Sequence, residues 1–177
     1  MRIVSGDFKG RYFSPPKNFK ARPTTDYAKE SLFNIINNHF DFEEVSVLDL
    51  FSGTGSISFE FASRGCQNIH LVEMNPQHFA FIKKVIAELK LNQILALKQN
   101  AFHFLEISKA TYDIIFADPP YEMKGFAKIP EIVFNKQLLN PNGWLIVEHS
   151  KNTDLSKLPN FGEVRNYGSV HFSFFYK

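Results

Sequence analysis

Val45-Ser46-Val47-Leu48-Asp49-Leu50, followed at once by Phe51-Ser52-Gly53-Thr54-Gly55-Ser56, is the stretch on which the fold turns. An apolar run interrupted by a single carboxylate reads as a strand buried on both faces, the kind that parallel sheets use. Gly53 and Gly55 permit unusual φ and a close backbone approach, and the residues from Ser56 to about Arg64 read as a helix that Gly65 is placed to end. Strand, Gly-containing turn and helix in that order open a βαβ unit.

Outward from this unit the alternation repeats. Asn68-Ile69-His70-Leu71-Val72-Glu73 is a second strand, and Pro76 suits the first turn of a helix that ends near Leu91. A third strand spans Ile94 to Lys98, a short helix Phe102 to Ser108, and a fourth strand Asp113 to Ala117. Next come a helix to about Leu139, a turn at Asn140-Pro141-Asn142-Gly143, and a fifth strand, Trp144-Leu145-Ile146-Val147-Glu148. Gly162 to Lys177 alternates around Gly168 without room for a helix and reads as an antiparallel hairpin at the sheet edge. The expected fold is α/β, a doubly wound Rossmann-like sheet that is mostly parallel with an antiparallel C-terminal strand.

Upstream, Arg2-Ile3-Val4-Ser5 and Gly10-Arg11-Tyr12-Phe13 read as an N-terminal β-hairpin that Pro15-Pro16 stops. Residues 17–24 form a loop, and Thr24 or Thr25 caps a helix from about Asp26 to Asn38. Its apolar face holds Ala28, Leu32, Phe33, Ile35 and Ile36, with Lys29 and Asn37 turned to water. The 177 residues are expected to make one domain, in which residues 1–40 extend a core of residues 41–177.

Composition narrows the class. Hydrophobic residues make up 44% and charged residues 21%, no apolar run reaches the length of a membrane span, and the N-terminus lacks a signal-peptide pattern. The single cysteine, Cys66, excludes an internal disulfide framework and reads as a small buried hydrophobe, so a reducing cytoplasm is expected. Six histidines without ligand spacing give no metal site. The net charge is +2, yet residues 1–24 hold Arg2, Lys9, Arg11, Lys17, Lys20 and Arg22 against Asp7, which leaves −3 for the remainder. A basic arm on a near-neutral body points to a polyanionic partner; the alternative is a lysine-bearing edge that deters edge-to-edge pairing.

Parallel strands place the loops after the first and fourth strands at one edge, so the Gly turn and Asp118-Pro119-Pro120-Tyr121 face one crevice. Two prolines remove two donors and leave flanking carbonyls to accept bonds. Asp118, an unpaired carbonyl and the ring of Tyr121 suit a planar group with an exocyclic amino group, such as a flipped nucleobase. An ordinary strand-to-loop exit is the other reading. Asp49, a carboxylate in an apolar strand, needs a partner that a ligand amino group would supply. Glu73, about twenty residues after the Gly turn, stands where nucleoside sites place an acid on ribose hydroxyls; otherwise it is a surface carboxylate. Asn100 reads an adenine edge or simply caps the next helix. The turn lacks a third glycine and a P-loop lysine, which disfavours dinucleotides and nucleotide hydrolysis. S-adenosylmethionine, a nucleoside carrying an amino acid, fits all of these positions.

Leu48-Asp49-Leu50-Phe51-Ser52-Gly53-Thr54-Gly55 followed by Asp118-Pro119-Pro120-Tyr121 resembles the class I S-adenosylmethionine-dependent amino-methyltransferases. Arg2-Ile3-Val4-Ser5-Gly6, Lys9-Gly10-Arg11, Arg22-Pro23-Thr24-Thr25-Asp26, Glu30 to Ile35, Ser63-Arg64-Gly65 and Val147-Glu148-His149 sharpen this to a resemblance to the RsmD family. That family methylates the N2 amino group of a guanine in small-subunit ribosomal RNA. The resemblance implies a cofactor-binding set of Asp49, Phe51, Ser52, Gly53, Thr54, Gly55, Glu73, Met74, Asn100, Ala101 and Asp118. It implies Asp118, Pro119, Pro120 and Tyr121 as the catalytic group, and Arg2, Lys9, Arg11, Arg22, Thr24 and Lys29 as the RNA contacts, with Arg22 to Thr24 folding over the site. Tyr27 and Lys29 stand where family members usually carry arginine, and lysine lacks the bidentate fork for phosphate. The partner implied is small-subunit rRNA or an assembling 30S particle, with no membrane, no metal and a monomeric enzyme. Rival readings are an amino-methyltransferase acting on adenine N6 or cytosine N4 of nucleic acid or on protein glutamine, and a non-catalytic cofactor-binding RNA assembly factor.

Overall fold

The computed structural model describes residues 1–16, 19 and 24–177. Helix α1 spans Asp26–Asn37, and then β1 (Ser46–Leu50), α2 (Ser56–Ser63), β2 (Asn68–Val72), α3 (Pro76–Leu89), β3 (Ile94–Leu97), α4 (Ala101–Ile107) and β4 (Tyr112–Ala117) alternate as the apolar runs require. A single 3-10 turn, Phe126–Lys128, leads into α5 (Ile129–Asn135), and three strands follow, β5 (Leu139–His149), β6 (Phe161–Tyr167) and β7 (Val170–Tyr176). The seven strands form one sheet in the order β3-β2-β1-β4-β5-β7-β6. β1 pairs in parallel with β2 and β4, while β7 runs antiparallel to β5 and β6, so the doubly wound Rossmann-like sheet is as expected.

Strand side chains alternate between two cores. Val47, Ile69, Phe116, Ile146 and Phe174 pack with α1, α2 and α3 through residues such as Leu32, Phe33, Phe61 and Ile82. Leu48, Leu50, Ile115, Leu145 and Phe175 face the other side, with Leu105 and Ile129. Cys66 is buried. Among the described residues no helix is long and apolar enough to cross a membrane.

Three expectations are corrected. The helix expected to run to about Leu139 stops at Asn135, Gln137 takes a positive φ of 54°, and β5 starts at Leu139 instead of Trp144. The Asn-Pro-Asn-Gly segment is absorbed as a register shift: Tyr112 pairs with Leu139, and pairing resumes at Ile114 with Trp144. At the N-terminus, the expected hairpin forms but is shorter than expected: around an antiparallel bridge between Arg2 and Tyr12, the Ile3 and Phe13 amides donate to the Arg11 and Met1 carbonyls at 3.0 and 2.9 Å, and the Gly10 amide donates to the Ile3 carbonyl at 2.9 Å. Beyond Ile3 the amides of the arm turn to α2. Val4 and Ser5 donate to the Glu60 carboxylate at 2.9 and 3.0 Å, and Asp7 and Phe8 donate to the carbonyl and hydroxyl of Ser63. Gly6, at φ +76°, passes so close that a Cβ would lie 1.8 Å from the Ser63 carbonyl oxygen.

The third correction is Lys29, which does not face water: it is 1% exposed. Its Nζ lies 3.6 Å from Glu60 Oε2 and donates to Ser56 Oγ at 3.0 Å and to the Arg2 carbonyl. Arg64 Nε meets the other Glu60 oxygen at 3.0 Å. A fully buried carboxylate is tolerated only when paired and hydrogen-bonded, and Lys29 supplies the charge from α1. Burial holds the Lys29 ammonium below its ordinary pKa. Breaking such a cluster from one side leaves uncompensated charge. Glu60→Ala is therefore expected to cost about 3–5 kcal/mol in chemical unfolding, and the paired exchange Glu60→Gln with Lys29→Met less than that.

Candidate active site

The carboxyl ends of β1, β2, β4 and β5 converge on a cavity of about 660 Å³. At the end of β1 the chain bends through Phe51 and Gly53, both at positive φ (58° and 55°), and the Gly55 amide closes the turn on the Ser52 carbonyl at 2.7 Å. Gly55 itself, at φ +77°, precedes α2 where a Cβ would meet the Phe59 ring at 2.8 Å. Ser52 Oγ donates to the Asp49 carbonyl at 2.8 Å, which stitches the turn to its own strand.

Glu73, just past β2, is nearly buried and bridges two turns. Its carboxylate accepts from the Gly53 amide at 2.8 Å and from the Asn75 amide at 2.6 Å. The surface-carboxylate alternative is thereby removed. Asp49 was expected to await a partner from a ligand, and α2 provides one instead: Ser58 donates from its hydroxyl at 2.6 Å and its amide at 3.2 Å. Burial still pushes the Asp49 carboxyl up to about 7. Asn100 caps α4, its side-chain oxygen accepting from the His103 amide at 3.1 Å, while its NH2 approaches Met74 Sδ at 3.6 Å. The cap reading holds, and the residue borders the cavity as well.

Asp118, whose amide donates to the Leu50 carbonyl, begins the loop that leaves β4. Burial, reinforced by the charges of Glu148 and then Asp49, raises its carboxyl well above the usual range. Pro119, Pro120 and Tyr121 line the same cavity, and the Tyr121 hydroxyl donates to Glu148 Oε1 at 3.3 Å. Thr24, at the entry to α1, donates to Glu148 Oε2 at 2.8 Å.

Every residue of the expected cofactor set except Gly55 lines this cavity, and so does the whole Asp-Pro-Pro-Tyr segment. The expected RNA contacts do not gather there, apart from Thr24. Arg2 and Arg11 are held in exposed ion pairs with Asp26 and Glu88, and Lys9 is exposed. Lys29 is sealed under α1, away from any polyanion; Arg22 lies outside the described residues. Glu148 is the residue that sequence reasoning missed as part of the site. The signal was available, a carboxylate ending the apolar run Leu145-Ile146-Val147, the same mark that singled out Asp49.

Four carboxylates from four strand ends, Asp49, Glu73, Asp118 and Glu148, thus border one cavity. Such a lining favours a cationic guest and opposes a phosphate chain. Among the described residues no group of three or more His, Cys, Asp or Glu is arranged to hold a metal ion.

A family model described as conserved hypothetical protein 95 matches residues 1–176. Ribosomal RNA small subunit methyltransferase D of Escherichia coli K12 is 32% identical over 148 residues, 84% of this chain and 71% of that protein. The protein of the same name from Buchnera aphidicola subsp. Acyrthosiphon pisum is 32% identical over 150 residues, 84% of this chain and 78% of its own length. A solved structure of a hypothetical protein from Thermus thermophilus superposes with a TM-score of 0.87 at 25% identity, covering 99% of this chain and 98% of that one.

The raised Asp49 carboxyl has a consequence for stability. A folded-state value above the ordinary 3.8 means that its contribution is fully present below about pH 3.8 and is lost as pH rises through about 7. Asp118 shifts in the same direction. Asp49→Asn, which keeps an acceptor for Ser58, is expected to flatten the fall in unfolding free energy between pH 4 and 8, with a gain at pH 8 of up to about 4 kcal/mol. Unfolding curves taken across that range check it, and an unchanged pH slope would refute it.

Proposed function

The chain belongs to the conserved hypothetical protein 95 family, the RsmD family, and on that premise we propose that its cavity delivers a methyl group to the N2 amino group of a guanine in small-subunit ribosomal RNA. It is an S-adenosylmethionine-dependent rRNA methyltransferase; guanine N2 is the finer reading. The observation that carries this reading is the placement of Asp118-Pro119-Pro120-Tyr121 across one cavity from the Gly turn.

The residues present fit the cofactor. The acidic lining suits a ligand that carries a sulfonium and an ammonium group. Glu73, fixed by two backbone amides, would accept from ribose hydroxyls, and the start of α4 at Asn100 and Ala101 would face the adenine. The turn from Phe51 to Thr54, beside Asp49, would hold the amino-acid end. When bound, S-adenosylmethionine supplies an electrophilic methyl carbon, whose bond to sulfur breaks as the bond to nitrogen forms and which leaves a neutral thioether behind.

Everything else falls to the protein. Asp118 and the Pro119 carbonyl accept the two N–H bonds of the guanine amino group, which reduces lone-pair delocalisation into the ring and aims the nitrogen at the methyl carbon. A nearby positive charge favours the ionised form of Asp118, which counteracts the upward push of burial. After transfer the nitrogen carries an extra proton, which Asp118 or water takes up. Positioning therefore supplies most of the acceleration. The ring of Tyr121 stacks on the flipped base, an interaction worth about 1–3 kcal/mol in single-strand binders. Arg2, Lys9 and Arg11 contact RNA phosphates from the arm, with Arg2 and Arg11 exchanging weak surface ion pairs for them. The enzyme acts in this reading as a cytoplasmic monomer on rRNA or an assembling 30S particle.

Asp118→Ala is expected to lower turnover at least about 1,000-fold while S-adenosylmethionine affinity stays within about threefold of wild type. Labelled cofactor, undermodified small-subunit particles and digestion to nucleosides provide the assay. Label in N2-methylguanosine is the expected product; label in N6-methyladenosine, or in protein, would overturn the assignment.

A further inference from the structure

Glu148 and Asp118 sit side by side across the β4–β5 ladder. Ala117, the last residue of β4, pairs with Val147, so the next residues along the chain are Asp118, just past β4, and Glu148 on β5. Both acids follow by two positions residues of the same core, Phe116 and Ile146, and strand alternation turns them to the same side of the sheet. Neighbouring strands lie about 4.8 Å apart, which sets two acceptors next to each other at the cavity wall. Glu148 is 3% exposed and is braced from two directions, by the Thr24 hydroxyl at 2.8 Å and the Tyr121 hydroxyl at 3.3 Å. Both hydroxyls donate to it, so the site holds Glu148 as an acceptor. Burial and then the charge of Glu148 push the Asp118 carboxyl up, as the closeness of the two acids requires.

A pair of adjacent acceptors distinguishes purines. The edge of guanine presents two neighbouring donors, the N2 amino group and N1–H, whereas adenine presents an amino group beside an N1 acceptor. We propose that Glu148 is the specificity-determining residue of the site: its carboxylate accepts the N1–H of the guanine whose amino group Asp118 and the Pro119 carbonyl hold. This inference rests on the guanine N2 reading and extends it, because the Asp-Pro-Pro-Tyr segment alone is satisfied by any exocyclic amino group. A purine with a lone pair at N1 meets the buried Glu148 carboxyl oxygens acceptor to acceptor. Sites that present a buried polar group without its complement reject the wrong partner far more strongly than apolar pockets do.

The decisive substrate is small-subunit rRNA carrying 2,6-diaminopurine in place of guanine at the nucleotide where methylation maps. It keeps the 2-amino group and replaces N1–H by an acceptor. Wild-type protein is expected to methylate it with kcat/KM at least about 100-fold below guanine, and cofactor-free protein to bind it more weakly than the guanine RNA. Glu148→Gln, whose amide offers both an acceptor and a donor, is expected to narrow that ratio to less than about tenfold, chiefly by losing rate on guanine. Methylation of the 2,6-diaminopurine RNA by wild type within threefold of guanine overturns the proposal without any variant. So does full discrimination by a Glu148→Gln protein that binds S-adenosylmethionine normally. If the guanine RNA itself acquires no N2-methyl group, the guanine N2 reading fails instead.

Discussion

Parallel pairing of β1 with both β2 and β4 is the constraint from which the rest of the molecule follows. It forces every crossover through a helix and brings the carboxyl ends of the strands to one edge of the sheet. Asp49, Glu73, Asp118 and Glu148, distant in sequence, become neighbours there. Burying acids is costly, and the four are not compensated equally. Backbone amides of two turns hold Glu73 and a serine of α2 holds Asp49, while Asp118 stays under the pressure of burial and of the other charges. A cationic guest relieves that pressure, so the electrostatic cost of the site is also its selectivity.

The short helix α2 links this site to the N-terminal arm. Ser58 faces Asp49, Ser56 and Glu60 face Lys29, and Glu60 and Ser63 take the arm's amides. All eight of its residues are buried, so its polar groups must be satisfied inside the protein. α2 thus follows the Gly turn on one side and anchors the basic arm on the other.

Much of this could be read from residue pattern. The buried parallel strands were legible because both faces are covered, so that each is a short, mostly apolar run such as Val47 to Leu50 or Ile114 to Ala117. The antiparallel C-terminal hairpin was legible from the turn at Gly168. Lys29 was misread because helical periodicity treats any lysine as solvent-facing, and nothing local to α1 reveals the buried carboxylate that draws it inward. The arm's hairpin was read two residues too long for the same reason, since the Val4 and Ser5 amides have an acceptor more than fifty residues away in Glu60. Glu148 passed as the polar end of a strand because its partners, Thr24 and Tyr121, are 124 and 27 residues distant.

By itself the sequence determined the order of strands and helices, the crevice shared by the Gly turn and Asp118-Pro119-Pro120-Tyr121, and the family resemblance of the chain. These follow from local chemistry: apolar runs, glycines at tight turns, prolines that free carbonyls. Only the tertiary structure decided that Glu60 and Lys29 form a buried pair, that Ser58 satisfies Asp49, and that Glu148 stands beside Asp118 on the neighbouring strand. Those outcomes depend on register and burial across strands and helices far apart in the chain, and no pattern of neighbouring residues encodes them.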